Sequence, residues 1–191
     1  MFASTVLRLR KTYHFVRLFF RPPDYEGARL TSKRLWNFYR ARWAHYRLHT
    51  RVGAVPVKLT LEPTSVCNLE CPACFTGAGE VGRARRPMSL DCYRLLLAEL
   101  GDRLLQIEFY NWGEPLLAKD VYVMIAEAVR LGISTTISTN FSIPFDAEKA
   151  ERLVRSGLHV LGVSLDGVRQ ATYEQYRVRG KLDTCCRTAA W

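Results

Sequence analysis

Three cysteines stand within eight residues of the sequence, as Cys67, Cys71 and Cys74 in the stretch CNLECPAC. Thiolates at this density are typical ligands of zinc or of an iron–sulfur cluster. Structural zinc normally takes four protein ligands, whereas on a four-iron cubane three cysteines would leave one iron without a protein ligand. An open iron can bind a substrate or cosubstrate directly, so the count of three favours a cluster that does chemistry.

Two other interpretations of the cysteines were weighed. His45 and His49, four residues apart, could complete a zinc site, but their predicted helix is basic and aromatic, which is more typical of a solvated or packed face. Three unrelated core cysteines are disfavoured by Pro72 and by the loop position. The adjacent pair Cys185–Cys186 is interpreted as incidental, because neighbouring cysteines are poor ligands for one cluster.

Strand and helix patterns alternate four times from Val55 onwards, which predicts an α/β fold of parallel βα units. The regular handedness of such units would arrange them as an open sheet or a barrel. A helix is expected to begin after Ser89, with Cys92 as a buried thiol. The predicted strands are 57–61, 104–110, 133–139 and 159–165, and the predicted helices are 90–100, 120–131, 146–155 and one from Gln170 to Tyr176.

Every polar cluster falls at the end of a predicted strand, where parallel α/β proteins bind their ligands. Taken alone, the clusters after the second and fourth strands are more typical of plain turns or helix caps. The four clusters are the cysteine stretch, Trp112-Gly113-Glu114-Pro115, Ser138-Thr139-Asn140 and Ser164-Leu165-Asp166-Gly167.

The cysteine spacing, followed in order by these elements, resembles the radical SAM superfamily over about residues 55–180. The branch it resembles often carries a C-terminal cysteine-rich domain for auxiliary clusters (SPASM type). The resemblance implies a partial (βα)6 barrel, of which residues 55–191 supply about four parallel strands. Two departures stand out: Trp112 replaces the first glycine of the family's Gly-Gly-Glu element, and Phe141 replaces the glycine of its Thr-Asn-Gly pattern.

The resemblance also implies a role for each matching residue. The three thiolates would hold a [4Fe-4S] cluster, whose open iron S-adenosylmethionine (SAM) would chelate through its amine and carboxylate. By the same resemblance, Gly113 and Glu114 would receive the methionine ammonium, and Asn140 would lie near the cosubstrate. Ser164 and Asp166 would contact the ribose, and Arg177 would meet the SAM carboxylate.

The implied activity is reductive cleavage of SAM to a 5′-deoxyadenosyl radical, which abstracts hydrogen from an unknown peptide, protein or small molecule. The implied electron donor is a reductant such as a ferredoxin or flavodoxin. The alternative is a non-catalytic zinc- or iron–sulfur-binding module that acts through a basic N-terminal arm. A nucleic-acid partner is disfavoured, because the arm shows no recognisable nucleic-acid-binding motif.

The basic charge is confined to the N-terminal part of the chain. Residues 1–51 carry 12 Lys or Arg and 2 Asp or Glu, whereas residues 52–191 carry 16 of each sign. We therefore divide the chain into a basic helical extension, 1–54, and the barrel part, 55–191. The extension is expected to hold helices over 4–21 and 31–49, the second packing on the barrel through a stripe of Leu35, Tyr39, Trp43 and Tyr46.

The cysteine pattern and chain length predict a reducing compartment, the cytoplasm, rather than a secreted disulfide scaffold. For the helix over 4–21, packing on the barrel part and contact of residues 1–51 with an anionic membrane surface are equal alternatives, and a retained basic helix stands above an organellar transit peptide. Strands five and six of the family barrel are not found, and residues 183–191 show no clear apolar period. We therefore expect a truncated or frameshifted product, or a fragment, with weak or absent activity unless a partner completes it.

Overall fold

The computed structural model describes residue 21 and residues 23–79, 82 and 84–190. In this part of the chain four strands form one parallel sheet in the order β1-β2-β3-β4. The strands are β1 (Lys58–Leu61), β2 (Gln106–Phe109), β3 (Ser134–Thr139) and β4 (Val160–Val163). The helices are α1 (Ser32–Tyr46), α2 (Leu90–Leu100), α3 (Val121–Arg130), α4 (Ala147–Arg155), α5 (Gln170–Tyr176) and α6 (Leu182–Ala189), with a 3-10 turn at Pro115–Leu117. The predicted α/β class with four parallel strands is confirmed.

Local sequence signals explain where several of these helices begin and end. The Ser89 hydroxyl accepts a hydrogen bond from the Cys92 N–H at the start of α2, and the Asp146 carboxylate accepts one from the Lys149 N–H at the start of α4. Gly132 and Gly157, with φ of +71° and +75°, follow α3 and α4 in the left-handed region that glycine tolerates. These start and stop positions agree with the sequence prediction.

The core lies between the two central strands and the helices that cover them. Ile107, Phe109 and Ile137 are fully buried in β2 and β3, and α3 packs a buried apolar face against the sheet. The buried Tyr93 hydroxyl donates a 2.7 Å hydrogen bond to the Met124 carbonyl, which joins α2 to α3. The sheet is therefore closely packed at its centre, below the edge from which the loops of the site begin.

The strand register brings the carboxyl ends of all four strands to one edge. Leu61 pairs with Phe109, Phe109 with Ile137, and Thr139 with Val163. The loops that follow the strands therefore leave the sheet side by side. This confirms the prediction that the polar clusters share one rim.

Helix α1 packs on the barrel part through polar residues, so the predicted aromatic stripe is wrong. Its buried residues are Arg34, Asn37 and Ala44, whereas Trp43 and Tyr46 are about half exposed. The reason is that the base of the sheet offers α1 carbonyl groups rather than an apolar surface. The Arg34 guanidinium donates to four of them at 2.7–2.9 Å, namely those of Arg29, Gly101, Leu131 and Gly132.

Three further expectations have clear outcomes or lie outside the described residues. Cys92 is exposed and not buried, because it lies on the outer side of α2. Residues 182–189 form α6, which buries Cys185 and Thr188 despite the weak apolar period. The helix predicted over 4–21 lies almost wholly outside the described residues. Within them, no helix combines the length and the apolar character needed to cross a membrane.

Candidate functional site

A cavity of about 230 Å³ opens at the carboxyl edge of the sheet. Residues from the loops after all four strands line it, together with the end of α5. The structure therefore brings together eight of the nine site residues predicted from the sequence, which are Cys67, Cys71, Cys74, Gly113, Glu114, Asn140, Ser164 and Arg177. The ninth, Asp166, does not line the cavity but pairs with Arg177.

The cysteine loop is wound tightly enough to place its three thiols on one cavity. The Cys74 N–H donates to the Cys71 carbonyl at 3.1 Å, and the Ala78 N–H donates to the Cys74 carbonyl at 2.7 Å. A Cβ atom on Gly77 would lie 2.5 Å from the backbone N and O of Cys71, so only glycine permits this close approach. Cys71 is buried, whereas Cys67 and Cys74 are half-buried.

Hydrogen-bond donors from other loops approach two of the thiols. The Asn140 Nδ2 lies 3.9 Å from the Cys67 Sγ, and the Arg177 Nη1 lies 3.9 Å from the Cys71 Sγ. Burial raises the pKa of both thiols, and Arg177 opposes this rise at Cys71. Donors of this kind suit a thiolate, which is the form of cysteine that ligates iron.

The three thiols do not gather as ligands of one small ion. Within the described residues, no three His, Cys, Asp or Glu side chains converge closely enough to hold a single metal ion. His45 on α1 and His49, which follows that helix, are exposed and do not line the cysteine cavity. Three partly buried thiols spread along one cavity wall, with N–H donors beside them, fit a larger iron–sulfur group.

Glu114 is the most deeply buried charged group at this rim, with 2% of its surface exposed. Its Oε1 accepts hydrogen bonds from the Thr139 hydroxyl at 2.7 Å and the Leu116 N–H at 3.2 Å, and its Oε2 accepts one from the Asn140 N–H at 2.8 Å. Burial raises the pKa of this carboxyl, while the hydrogen bonds and the nearby Arg177 charge act in the opposite direction. The carboxylate thus joins the loops after β2 and β3.

Gly113 is required by packing between the loops after β1 and β2. A Cβ atom at this position would lie 1.8 Å from the Thr64 carbonyl oxygen. The Glu62 carboxylate accepts 3.0 Å hydrogen bonds from the N–H groups of both Trp112 and Gly113. Sequence reasoning missed Glu62, although an acidic residue directly after β1 was a signal that could have been used.

The Thr139-Asn140-Phe141 stretch contacts the cysteine loop and the core at once. The Asn140 side chain donates to the Asn68 Oδ1 at 3.1 Å, and Asn68 is a second residue that sequence reasoning missed. Phe141 is buried, lies 5.3 Å from the Phe145 ring centroid and has φ of +48°. A phenylalanine thus occupies the left-handed conformation that the family's glycine would adopt freely.

Two replacements of Phe141 should separate the free-energy cost of the left-handed backbone conformation from the stability contributed by burying the ring. Phe141→Ala and Phe141→Gly both remove the buried ring and should each lose about 3–5 kcal/mol of unfolding free energy. Because glycine tolerates positive φ, Phe141→Gly should be the more stable of the two by about 1 kcal/mol. Urea unfolding of both variants measures the difference, and a more stable alanine variant would contradict the assigned conformation.

The segment that follows β4 and contains α5 meets the site through Ser164 and Arg177. The Ser164 hydroxyl lies 3.4 Å from the Ser138 hydroxyl, and the backbone N–H of Ser164 donates to the Thr139 carbonyl at 2.9 Å. Asp166 and Arg177 form a close ion pair. The segment that contains α5 therefore returns to the cysteine loop.

The model of the radical SAM superfamily matches residues 61–189, more than half of the chain. The chain belongs to the radical SAM superfamily. Proteins of this family bind a [4Fe-4S] cluster and SAM, which confirms the cofactors predicted from the sequence. The thiols, their N–H donors and the buried Glu114 carboxylate fit that pair of ligands.

Curated relatives support the branch as well as the family. The chain is 31% identical to the Fe-coproporphyrin III synthase of Methanosarcina barkeri over 124 residues, which are 65% of this chain and 31% of that protein. It is 28% identical to the mycofactocin maturase MftC of Mycolicibacterium smegmatis over 134 residues, 69% of this chain and 33% of that protein. These relatives are enzymes, and MftC confirms the predicted SPASM-type branch. The chain spans about a third of their length.

Solved structures agree on the fold. Streptococcus suis SuiB bound to S-adenosylmethionine matches with a TM-score of 0.60 at 23% identity, over 80% of this chain and 34% of that one. The structure of the methylornithine synthase PylB matches with a TM-score of 0.55 at 16% identity, over 84% of this chain and 48% of that one. The observed sheet therefore corresponds to part of a larger barrel.

Proposed function

We propose that this chain is the cofactor-holding part of a radical SAM enzyme, in which Cys67, Cys71 and Cys74 ligate a [4Fe-4S] cluster. When bound, the cluster and SAM supply reductive cleavage of the sulfonium to a 5′-deoxyadenosyl radical that abstracts hydrogen from a substrate. The observation that carries the proposal is one cavity, at the carboxyl ends of four parallel strands, that is lined by all three thiols and by Glu114.

The buried Glu114 carboxylate supports a cationic ligand in this cavity. The groups that donate to it from the described residues, the Thr139 hydroxyl and the N–H groups of Leu116 and Asn140, are all neutral. A buried carboxylate is costly unless a cation lies near it. The methionine ammonium of SAM would be such a cation, and a charge-assisted hydrogen bond would hold it.

The remaining residues of the rim position these groups. Gly113 lets the loop after β2 pack on the backbone of Thr64, and Glu62 holds that loop through two N–H groups. Asn140 connects Cys67 and Asn68 with the loop after β3. Ser164 lies beside them on the cavity wall, where it is available to a ribose hydroxyl. This preorganisation replaces a chance encounter between cluster and sulfonium with fixed orientation.

The substrate and the electron donor are proposed only by class. Among the relatives are a PqqA peptide cyclase of Bradyrhizobium diazoefficiens and an AdoMet-dependent heme synthase of Nitratidesulfovibrio vulgaris, so both a peptide and a small molecule remain as substrate classes. The cleavage needs one electron at low potential, which a ferredoxin or flavodoxin would supply.

Anaerobic reconstitution with iron and sulfide tests the proposal. The wild-type chain should bind about 4 Fe, the content of one cubane, and convert SAM to 5′-deoxyadenosine when dithionite is added. Cys71→Ser should lose most of this iron, because it removes a buried ligand from the centre of the loop. Iron analysis, electron paramagnetic resonance and chromatography of the nucleoside are the measurements.

Cys92→Ser is the matched control, since Cys92 is an exposed thiol outside the cysteine cavity. It should keep both the iron and the SAM cleavage of the wild type. Stoichiometric zinc in place of iron, together with no cleavage of SAM, would contradict the proposal and favour the metal-binding module. Equal iron in the Cys71 and Cys92 variants would contradict the assigned ligands.

A further inference from the structure

Arg177 is held in one orientation beside the cysteine loop. Its Nε forms a close ion pair with Asp166, and its Nη1 lies 3.9 Å from the Cys71 Sγ. Its guanidinium also lies over the Tyr176 ring, 5.4 Å from the centroid. Only 20% of its side chain is exposed. A guanidinium with three such neighbours has little freedom to turn towards another partner.

This arrangement differs from the roles that the family resemblance suggests for the two residues. By resemblance, Arg177 would meet the SAM carboxylate and Asp166 the ribose. In the structure they neutralise each other, and Asp166 does not line the cavity. The fork of the guanidinium uses one edge for Asp166 and presents the other to Cys71.

A positive charge at this distance from a cluster ligand has a defined electrostatic effect. Reduction adds one negative charge to the cluster, and a fixed cation near a ligating sulfur stabilises that charge. Net charge and hydrogen bonds to the sulfurs are among the factors that set iron–sulfur potentials. Partial burial keeps solvent from screening the interaction fully.

We propose that Arg177 is a positioning residue of the cluster: oriented by Asp166, it holds its charge against Cys71 and makes the cluster easier to reduce. This inference rests on the proposed function, since it requires a cluster on Cys71. It assigns the Asp166–Arg177 pair to the electron-accepting step, the addition of one electron from a low-potential donor. SAM binding is then left to Glu114 and the rest of the rim.

A redox titration without SAM tests this assignment. The midpoint potential of the reconstituted cluster is followed by electron paramagnetic resonance during stepwise addition of dithionite. In Arg177→Gln the equilibrium constant for reduction should fall about tenfold, which is a shift of about 59 mV towards more negative potential for a one-electron couple. Arg177→Lys keeps the charge and should recover part of the shift.

Two other variants complete the design. Asp166→Asn keeps a hydrogen-bond acceptor for Arg177 but removes the carboxylate that offsets its charge, so the potential should shift in the opposite direction, towards less negative values, by a smaller amount. Arg179→Met is the control, because Arg179 lies two residues away and pairs on the surface with Glu70 at 3.0 Å. It removes the same charge from the same segment and should leave the potential unchanged.

The possible outcomes separate this inference from the proposed function. An unchanged potential in Arg177→Gln, with weaker binding of SAM, would overturn the inference and assign Arg177 to the SAM carboxylate. An equal shift in Arg179→Met would also overturn it, because the effect would then come from net charge alone. Failure of the wild-type chain to build any cluster would instead defeat the proposed function.

Discussion

Arg34→Met should lower the unfolding free energy by about 3–5 kcal/mol, because backbone carbonyls lose a charged hydrogen-bond donor at about 1–3 kcal/mol each. Arg34 is 2% exposed, and its guanidinium donates to the carbonyls of Arg29, Gly101, Leu131 and Gly132. Gly101 and Leu131 directly follow α2 and α3, where helices leave carbonyls without intrahelical partners. Methionine fills similar space but removes this donor, so the Arg29 and Gly101 carbonyls lose their side-chain partner, whereas those of Leu131 and Gly132 keep hydrogen bonds from Arg29. Urea unfolding followed by circular dichroism measures the loss.

Lys33→Met is the matched control for this prediction. Lys33 is the neighbouring residue in α1, carries the same charge and forms an exposed ion pair with Asp102 at 3.0 Å. Surface pairs of this kind contribute little, so the loss should stay within about 1 kcal/mol. Similar losses in both variants would show that α1 is not fastened to the sheet through the Arg34 side chain.

Glu114→Gln should weaken the binding of SAM to the reconstituted protein by about 10- to 100-fold, the value of one charge-assisted hydrogen bond. The substitution keeps the size of the side chain and removes the negative charge that a methionine ammonium would meet. The three thiols are untouched, so the iron content should match that of the wild type. Equilibrium dialysis under anaerobic conditions, with iron analysis of the same samples, measures both quantities.

Glu70→Gln controls for the loss of one negative charge near the cluster. Glu70 lies inside the cysteine loop but is exposed and pairs with Arg179. It should bind SAM as the wild type does. Unchanged SAM affinity in Glu114→Gln would show that the carboxylate serves only the hydrogen bonds to Leu116, Thr139 and Asn140. In that case thermal unfolding of the cluster-free protein, and not SAM affinity, should register the substitution.

The two predictions concern opposite edges of the same sheet. Arg34 binds carbonyls at the C-terminal ends of helices α2 and α3, whereas Glu114 joins loops at the carboxyl ends of the strands. Loss of the first should reduce stability without removing a cofactor ligand. Loss of the second should reduce affinity for the cosubstrate while the fold remains. This division is common in parallel α/β proteins, in which one face of the sheet serves stability and the other serves function.

Sequence patterns predicted the elements well where the signal is local. Helix α2 begins after Ser89, as its side-chain cap implies, and Gly132 and Gly157 end α3 and α4 in the left-handed conformation. Helix α6 was missed because its apolar side is short: it buries Cys185 and Thr188 but little else. Helix α6 contacts α5, which precedes it in the chain, and Cys185 joins the core cluster of the sheet, so burial of α6 depends on tertiary contacts that its own apolar pattern does not show.

The contact face of α1 shows the same limit. The stripe of Leu35, Tyr39, Trp43 and Tyr46 has the spacing of a packed face, yet Arg34 and Asn37 are the residues that α1 buries. Carbonyl groups from other parts of the chain determine this choice, since they are acceptors that only a side chain with a hydrogen-bond donor can satisfy. From sequence alone, an arginine in a basic segment is expected to be exposed to solvent, because its hydrogen-bond partners are not known.

By itself the sequence determined the family, the order of the strands and helices, and the placement of the three thiols at one rim with Gly113, Glu114, Asn140 and Ser164. These features follow from short-range spacing and from the rule that parallel strands end together. The tertiary structure alone decided that Glu62 and Asn68 join the site, that Arg177 turns to Asp166 and Cys71, and that Arg34 fastens α1. Each of these depends on groups brought together from loops far apart in the chain, whose distances only the folded sheet sets.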